Sequence, residues 1–101
     1  MTTHRPPDFL AHKQGDSVAV AVRDLSPGPA HGAFLDETGE ADVELLAEVP
    51  LGHKLALSDV PADADVIEYG IRIGIATRDI RRGDYVHVHN VRSARWHNSV
   101  A

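Results

Sequence analysis

Cysteine is absent from the 101 residues, so disulfides, thiolate zinc sites, iron–sulfur ligation and cysteine nucleophiles are all excluded for this chain. Aromatic residues are also scarce, with two Phe, two Tyr and one Trp. The core must therefore be built mainly from Val, Leu, Ile and Ala. A chain of this length forms one small domain, whose core leaves little room for a deep private pocket. We expect part of an enzyme or a binding module rather than a complete enzyme.

Long apolar runs are absent too. Residues 1–17 are polar and contain Pro6-Pro7, which predicts neither a signal peptide nor a transmembrane span and favours the cytoplasm. The net charge of −5 argues against nucleic-acid binding, which needs a basic surface. Acidic residues crowd positions 36–48, whereas arginines dominate the C-terminal third. Solvated surfaces explain both groups, but arginines near histidines also suit the binding of a carboxylate or sulfonate.

A short phrase recurs three times, as Ala-x-x-Asp-aliphatic-x-x-Gly/Asp at residues 21–28, 56–63 and 76–83. Gly and Asp tolerate the positive φ that tight turns require. Each copy is therefore predicted to be a turn between two strands, in which the aspartate accepts a local backbone N–H. The copies are too irregularly spaced for a solenoid. They favour a single all-β domain with pseudo-symmetric loops.

Period-two patterns predict the strands. Residues 9–12 are predicted to start an edge strand, and residues 33–35 and 42–46 to form a hairpin across a loop at 36–40. Further strands are predicted at residues 17–23, 54–57, 65–69, 71–76 and, as the longest, 84–91. The prolines and glycines between residues 27 and 32 predict a break in regular structure, in which no helix can persist. Little helix is expected.

Histidines beside turns are the main candidates for chemistry, because imidazoles carry protons and bind metals near neutral pH. The candidates are three histidines, His53, His87 and His89, and the adjacent lysine Lys54. In a strand over residues 84–91, His87 and His89 would share one face and the intervening valines would pack into the core. Such a pair can share one ion or one substrate. An amphipathic strand that merely alternates exposed and buried residues explains the pattern equally well.

Four motifs occur in a characteristic order: Gly52-His53-Lys54, Tyr69-Gly70, Ile73-Gly74-Ile75-Ala76-Thr77 and His87-Val88-His89-Asn90. Together they resemble the small SAF-type β-clip domain of the altronate and galactarate dehydratase family. Segments 12–18 and 95–96 resemble the free-standing small subunit of that family. The resemblance implies a mainly β, compact SAF-like β-clip of short strands with tight turns over residues 9–96. A flexible N-terminal arm at 1–8 and a tail at 97–101 flank it.

The same resemblance implies a function. The chain would be the small subunit of a metal-assisted lyase, a dehydratase or a sulfo-lyase, that catalyses β-elimination from a sulfonated or sugar-derived hydroxy acid. A large catalytic subunit would complete the active site and supply most ligands of a divalent metal, iron in this family. The small subunit would be inactive alone, and a homo-oligomer is compatible with this organisation. The alternative is a non-catalytic SAF-type binding or assembly module, because a fold does not fix a function.

The resemblance also implies roles for individual residues. His53, Lys54, His87 and His89 would be catalytic, and Asn90 and Arg92 would contact the substrate. His87 and His89 would also be metal ligands shared with the partner. Structural alternatives stay open, since Lys54 also suits an exposed strand end and Asn90 a turn cap.

Other conspicuous residues have weaker functional signals. Trp96, near Arg92 and Arg95, suits either a partner contact or the closure of the core. His12 suits either the family motif or an exposed edge. No role is assigned to the remaining histidines, which are His4, His31 and His97.

Overall fold

The computed structural model describes residues 6–93 and contains strands and turns, with no helix in that range. The nine strands are β1 Phe9–Ala11, β2 Val18–Ala21, β3 Gly28–Phe34, β4 Glu40–Leu45, β5 Lys54–Ala56, β6 Asp65–Glu68, β7 Ile71–Ala76, β8 Tyr85–Val86 and β9 Val91–Ser93. The prediction of a mainly β fold is confirmed. Predictions for residues 1–5, Arg95, Trp96 and the 97–101 tail lie outside the described residues.

Two curled sheets form the domain. The first has the strand order β4-β3-β1-β2-β5-β8 and the second the order β6-β7-β9. Among the described strands, β1 and β3 are the only pair that is parallel. Ser17 connects the sheets, because its N–H donates to the Ile67 carbonyl at 2.8 Å and its Oγ accepts the Ile67 N–H at 3.1 Å. Within residues 6–93, no helix is long and apolar enough to cross a membrane.

Strand β1 lies inside the larger sheet, so the prediction of an edge strand there is wrong. It pairs with β2 on one side and with β3 on the other, and Phe9 is fully buried. Asp8, the last residue of the predicted arm, is buried as well. Its carboxylate accepts the His31 N–H at 2.8 Å and pairs with Arg23. The folded part therefore includes Asp8.

The predicted break at residues 27–32 is also wrong, because β3 runs through most of it. Strand β4 pairs along the length of β3, whereas β1 pairs only with Gly32 to Phe34. Pro29 lies in the part of β3 that has a neighbour on one side only. A proline, which has no N–H, is tolerated there because no second ladder needs its hydrogen bond.

The continuous strand predicted over residues 84–91 does not form. Strand β8 ends at Val86, a turn follows, and β9 starts at Val91. Asn90 closes the turn, because its Oδ1 accepts the His87 N–H at 2.9 Å and its Nδ2 donates to the Tyr85 carbonyl at 2.8 Å. Val88 is 79% exposed instead of packing into the core. The argument that His87 and His89 share a strand face is therefore wrong.

The repeated phrase does form turns, as predicted. The last residue of each copy has positive φ, with 124° at Gly28, 71° at Asp63 and 94° at Gly83. The structure adds a fourth copy at residues 45–52, which carries Leu45 in place of alanine and Glu48 in place of aspartate. The copies associate in pairs through single β-bridges, Leu25 with Val49 and Val60 with Ile80.

The repeat aspartates are turn formers, but their partners lie in the paired copy rather than nearby in the chain. Asp59 accepts the Arg82 N–H at 2.8 Å and Asp79 accepts the Ala62 N–H at 2.9 Å, a reciprocal arrangement. In the other pair, Asp24 accepts the Leu51 N–H at 2.9 Å. The equivalent partner for Glu48 would be the nitrogen of Pro27, which carries no hydrogen. This explains why the fourth copy has no need of aspartate.

His31 has a structural role that the sequence did not indicate. On the β3–β4 hairpin its Nδ1 lies 2.7 Å from Asp42 Oδ1 and its Nε2 lies 2.7 Å from Glu40 Oε1. Both ring nitrogens can donate only when the imidazole is protonated. The hydrogen bond to Asp42, opposed by desolvation and supported by Glu40, raises the pKa of His31 above its ordinary value of 6.5.

Replacing His31 with Gln is expected to destabilise the domain at low pH only. Because the folded pKa is raised, protonated His31 stabilises the fold fully below the unfolded pKa of 6.5, and this contribution is lost as pH rises through the folded value. Thermal melts of both proteins at about pH 5.5 and pH 9 test this. The difference in melting temperature should vanish at the higher pH, and a difference independent of pH would contradict the assignment.

Candidate functional site

A tight turn fixes His53 at the start of β5. The His53 N–H donates to the Pro50 carbonyl at 3.0 Å, and Gly52 has φ 82°, as the third position of a type II turn requires. The turn is the end of the fourth repeat copy, and Asp24 holds it through the Leu51 N–H. His53 is therefore held by the pairing of the repeat loops.

Tyr85 forms a hydrogen bond with His53 across two neighbouring strands. Strand β8 pairs with β5, and the Tyr85 hydroxyl lies 2.6 Å from His53 Nδ1. The bond occupies Nδ1 and fixes the orientation of the ring, and Nε2 has no hydrogen bond to any residue in the range 6–93. Sequence reasoning counted Tyr85 only as a core aromatic. It does pack against the core, but its hydroxyl belongs to the site.

His87 and His89 surround the same tyrosine, although a turn and not a strand carries them. The Tyr85 and His87 rings are nearly parallel, with centroids 5.6 Å apart, and the His87 centroid lies 5.1 Å from that of His53. The His89 centroid lies 5.7 Å from that of Tyr85. We call these four residues the His–Tyr cluster. The histidines that the sequence singled out are thus brought together.

An open groove of about 330 Å³ lies beside the cluster. Aliphatic side chains form much of it, and its polar side chains are those of His53, Lys54, His87 and Ser93. Its lining consists of Gly52, His53, Lys54, Ile73, Val86, His87, Val88, Val91 and Ser93. The Lys54 side chain is 35% exposed, and its Nζ lies 3.8 Å from Glu68 Oε1. The groove combines proton carriers with a positive charge, as the binding of a small anion requires.

The two predicted substrate-binding residues do not line this groove. The Asn90 side chain is 3% exposed, and both its polar atoms bond within the turn. Arg92 is exposed on β9 between two residues that do line the groove, Val91 and Ser93. Asn90 therefore positions the histidine turn, whereas contact of either residue with a substrate stays a prediction.

A complete metal site is not formed by residues 6–93. No group of three or more His, Asp or Glu side chains in that range is arranged to hold an ion. In addition, Nδ1 of His53 is occupied by Tyr85. His53 can still offer Nε2, and the exposed His87 and His89 are the other imidazoles of the cluster. A metal at this groove would need further ligands from another protein chain.

Comparisons with known proteins identify relatives of the whole domain. Residues 7–94 match the family model of the altronate/galactarate dehydratase SAF domain. The chain is 38% identical to the (2R)-sulfolactate sulfo-lyase subunit alpha of Chromohalobacter salexigens over 91 residues, which cover 88% of this chain and 97% of that protein. It is 42% identical to the altronate dehydratase of Escherichia coli over 78 residues, 77% of this chain but 15% of that enzyme.

The galactarate dehydratase (L-threo-forming) of Escherichia coli is likewise matched over most of this chain but a small part of its own length. The identity is 38% over 70% of this chain and 12% of that enzyme. The domain thus occurs as a small part of long dehydratase chains and as nearly the whole of a sulfo-lyase subunit. The match over residues 7–94 also includes every strand described above. The chain belongs to the SAF domain family of the altronate and galactarate dehydratases.

Proposed function

We propose that the chain is the small subunit of a metal-assisted lyase, a dehydratase or a sulfo-lyase, that acts on a sulfonated or sugar-derived hydroxy acid. The observation that carries the proposal is the groove, in which hydrogen-bonded His53, His87 and the Lys54 ammonium lie together. A relative matched over 97% of its length is a sulfo-lyase subunit. A large subunit would close the groove and complete the active site.

β-Elimination needs removal of a weakly acidic proton beside a carboxylate, stabilisation of the resulting negative charge, and assistance to the leaving group. His53 suits the last of these tasks. When protonated, its Nδ1 donates to the Tyr85 oxygen and its Nε2 is free to donate to a substrate oxygen. Transfer of the Nε2 proton to a departing hydroxyl returns the ring to neutral and leaves the Tyr85 bond intact. Tyr85 keeps the ring oriented throughout.

Lys54 suits the binding of the acidic substrate. Its ammonium lies on the groove that His53 lines, where it can neutralise a carboxylate or a sulfonate. His87, stacked on Tyr85, offers a second imidazole to the same small volume. Once a large subunit closes the groove, its apolar lining would exclude water around the bound anion and so strengthen the attraction of the anion to Lys54. The base that removes the proton would come from the large subunit.

A divalent metal, iron or another divalent cation, would be held mostly by the large subunit, with His87 and His89 as this chain's ligands. Both are exposed; His87 lines the groove and His89 contacts the Tyr85 ring, and neutral imidazole is a good ligand for iron. When bound, such an ion stabilises negative charge on the substrate oxygens. No step assigned above to His53, Tyr85 or Lys54 depends on it.

Reconstitution tests the proposal. The purified chain is expected to show no turnover alone and to gain it with a large subunit of the family from the same organism, because the groove lacks a full set of catalytic groups. The assay would use 2-sulfolactate, altronate and galactarate as substrates, with added iron(II). Turnover by the chain alone would contradict the shared site. A stable complex that turns over none of these acids would favour the non-catalytic module.

A further inference from the structure

Glu68 is a buried carboxylate that takes no part in the proposed elimination. It ends β6 and is 8% exposed. Two basic groups approach it, His12 Nε2 at 3.6 Å from Oε2 and Lys54 Nζ at 3.8 Å from Oε1. Burial of a carboxylate is costly unless positive charge compensates it. Both separations exceed the length of a good hydrogen bond, so the charge of Glu68 orients Lys54 without a hydrogen bond that would have to break before Lys54 could bind another anion.

The surroundings of Glu68 are built to hold His12. The His12 and Tyr69 rings stack with centroids 3.5 Å apart and an interplanar angle of 18°. Tyr69 has φ 61°, an uncommon conformation for a residue other than glycine. The buried Asp16 carboxylate maintains this backbone conformation, because it accepts hydrogen bonds from the N–H groups of Tyr69 and Gly70, each at 3.0 Å. A strained turn thus keeps an imidazole beside Glu68.

We propose that Glu68, together with His12, is a positioning residue that holds the Lys54 ammonium at the groove for an acidic substrate. In the free protein Lys54 is oriented by Glu68. When a carboxylate or sulfonate enters, Lys54 turns toward it while His12 stays beside Glu68, held by its stacking on Tyr69. Without Glu68, Lys54 would sample many rotamers, and ordering it would weaken substrate binding. The inference rests on the proposed function, since it assigns the role of Lys54 in that groove.

The effect of Glu68→Gln on the mobility of the Lys54 side chain can be measured in the isolated chain, without an activity assay. In ¹H–¹³C NMR spectra, an immobilised Lys54 shows two distinct Hε signals and a mobile one shows a single averaged signal. We expect distinct signals in the wild type and averaging in Glu68→Gln. The matched control is Glu44→Gln, which removes the same charge from an exposed position on β4 and should leave the Lys54 signals unchanged. Unchanged Lys54 signals in Glu68→Gln would overturn the proposal.

In the assembled lyase, Glu68→Gln should raise KM about fivefold, the upper range for a partly exposed ion pair, with little change in kcat. In a Lys54→Gln background the same substitution should have no further effect on KM, because Glu68 acts through Lys54. An equal additional effect there would contradict this mechanism. If Glu68→Gln does not fold, Glu68→Asp is used instead. It keeps the negative charge but moves it away from Lys54 by one methylene, so an intermediate increase in KM is expected. Absence of turnover by the wild-type complex refutes the proposed function but leaves the NMR result as an independent test.

Discussion

Gly32→Ala is expected to destabilise the domain by about 3 kcal/mol, the upper range for an overpacked core. Gly32 pairs with Phe9 across β3 and β1. A Cβ on Gly32 would lie 2.2 Å from Cδ1 and Cε1 of the Phe9 ring and 2.6 Å from its Cγ. The ring cannot turn away, because Phe9 is fully buried between β2 and β3. For a domain of this size, the melting temperature should fall by more than about 10 °C.

A double-mutant cycle identifies the cause of that loss. Phe9→Ala alone should cost about 3–5 kcal/mol, since it empties the position that the ring fills. The Phe9→Ala/Gly32→Ala double variant should cost less than the sum, because the new methyl no longer meets the ring. Gly39→Ala is the control, since no atom lies within 4 Å of its Cβ position. That variant should also lose about 1–3 kcal/mol, from its positive φ, but its loss should add to that of Phe9→Ala. Strict additivity in the cycle would rule out the Phe9 contact as the cause.

The elements that were predicted correctly are those that local pattern determines. Strand β7 has the predicted bounds, Ile71–Ala76, because branched aliphatic residues alternate there and a turn at Tyr69-Gly70 precedes them. The turns of the repeat were also predictable, since Gly and Asp were present where positive φ occurs. The pairing of the repeat loops was not, because a bridge such as Leu25 with Val49 joins residues far apart in the chain.

The error at residues 84–91 has a different physical origin. Alternation of valine and histidine suits a strand, but it cannot show how Asn90 will satisfy its hydrogen bonds. In the structure its side chain bonds to the backbone of His87 and Tyr85, which stabilises a turn instead of continued pairing. The candidate histidines still converge, because β8 lies beside β5.

Two residues of the site had weak sequence signals. Tyr85 is a usual core residue of a strand, and its hydrogen bond to His53 spans 32 positions. Glu68 lies two residues after buried Val66 in β6, a spacing that puts both on the inward face. A carboxylate at an inward-facing position of a strand is a sequence signal for a buried charge, and it was present here. Its partners, His12 and Lys54, come from other strands and loops and could not be read from β6 alone.

His53→Ala is expected to lower turnover of the assembled lyase by about two to four orders of magnitude, the usual scale of general acid–base catalysis. The reason is the position of His53, which lines the groove and has Nδ1 fixed by Tyr85. Tyr85→Phe should lower turnover by only about tenfold, since the imidazole remains and only its orienting partner is lost. The measurement is kcat of each reconstituted variant, with thermal melts to show that the fold is retained.

The same assay tests the two histidines of the turn. His87→Ala and His89→Ala are also predicted to lower turnover by about two orders of magnitude or more if each carries a proton or a metal ligand. Both are exposed, so their loss should barely change stability. The controls should keep full turnover and are His4→Ala, His97→Ala and His31→Ala. His31→Ala is measured at about pH 8, because His31 titrates in an ion-paired hairpin and not in the groove. Near-wild-type turnover for His53→Ala would remove the groove as the catalytic site. The same result for both His87→Ala and His89→Ala would restrict the chemistry of this chain to His53, Tyr85 and Lys54.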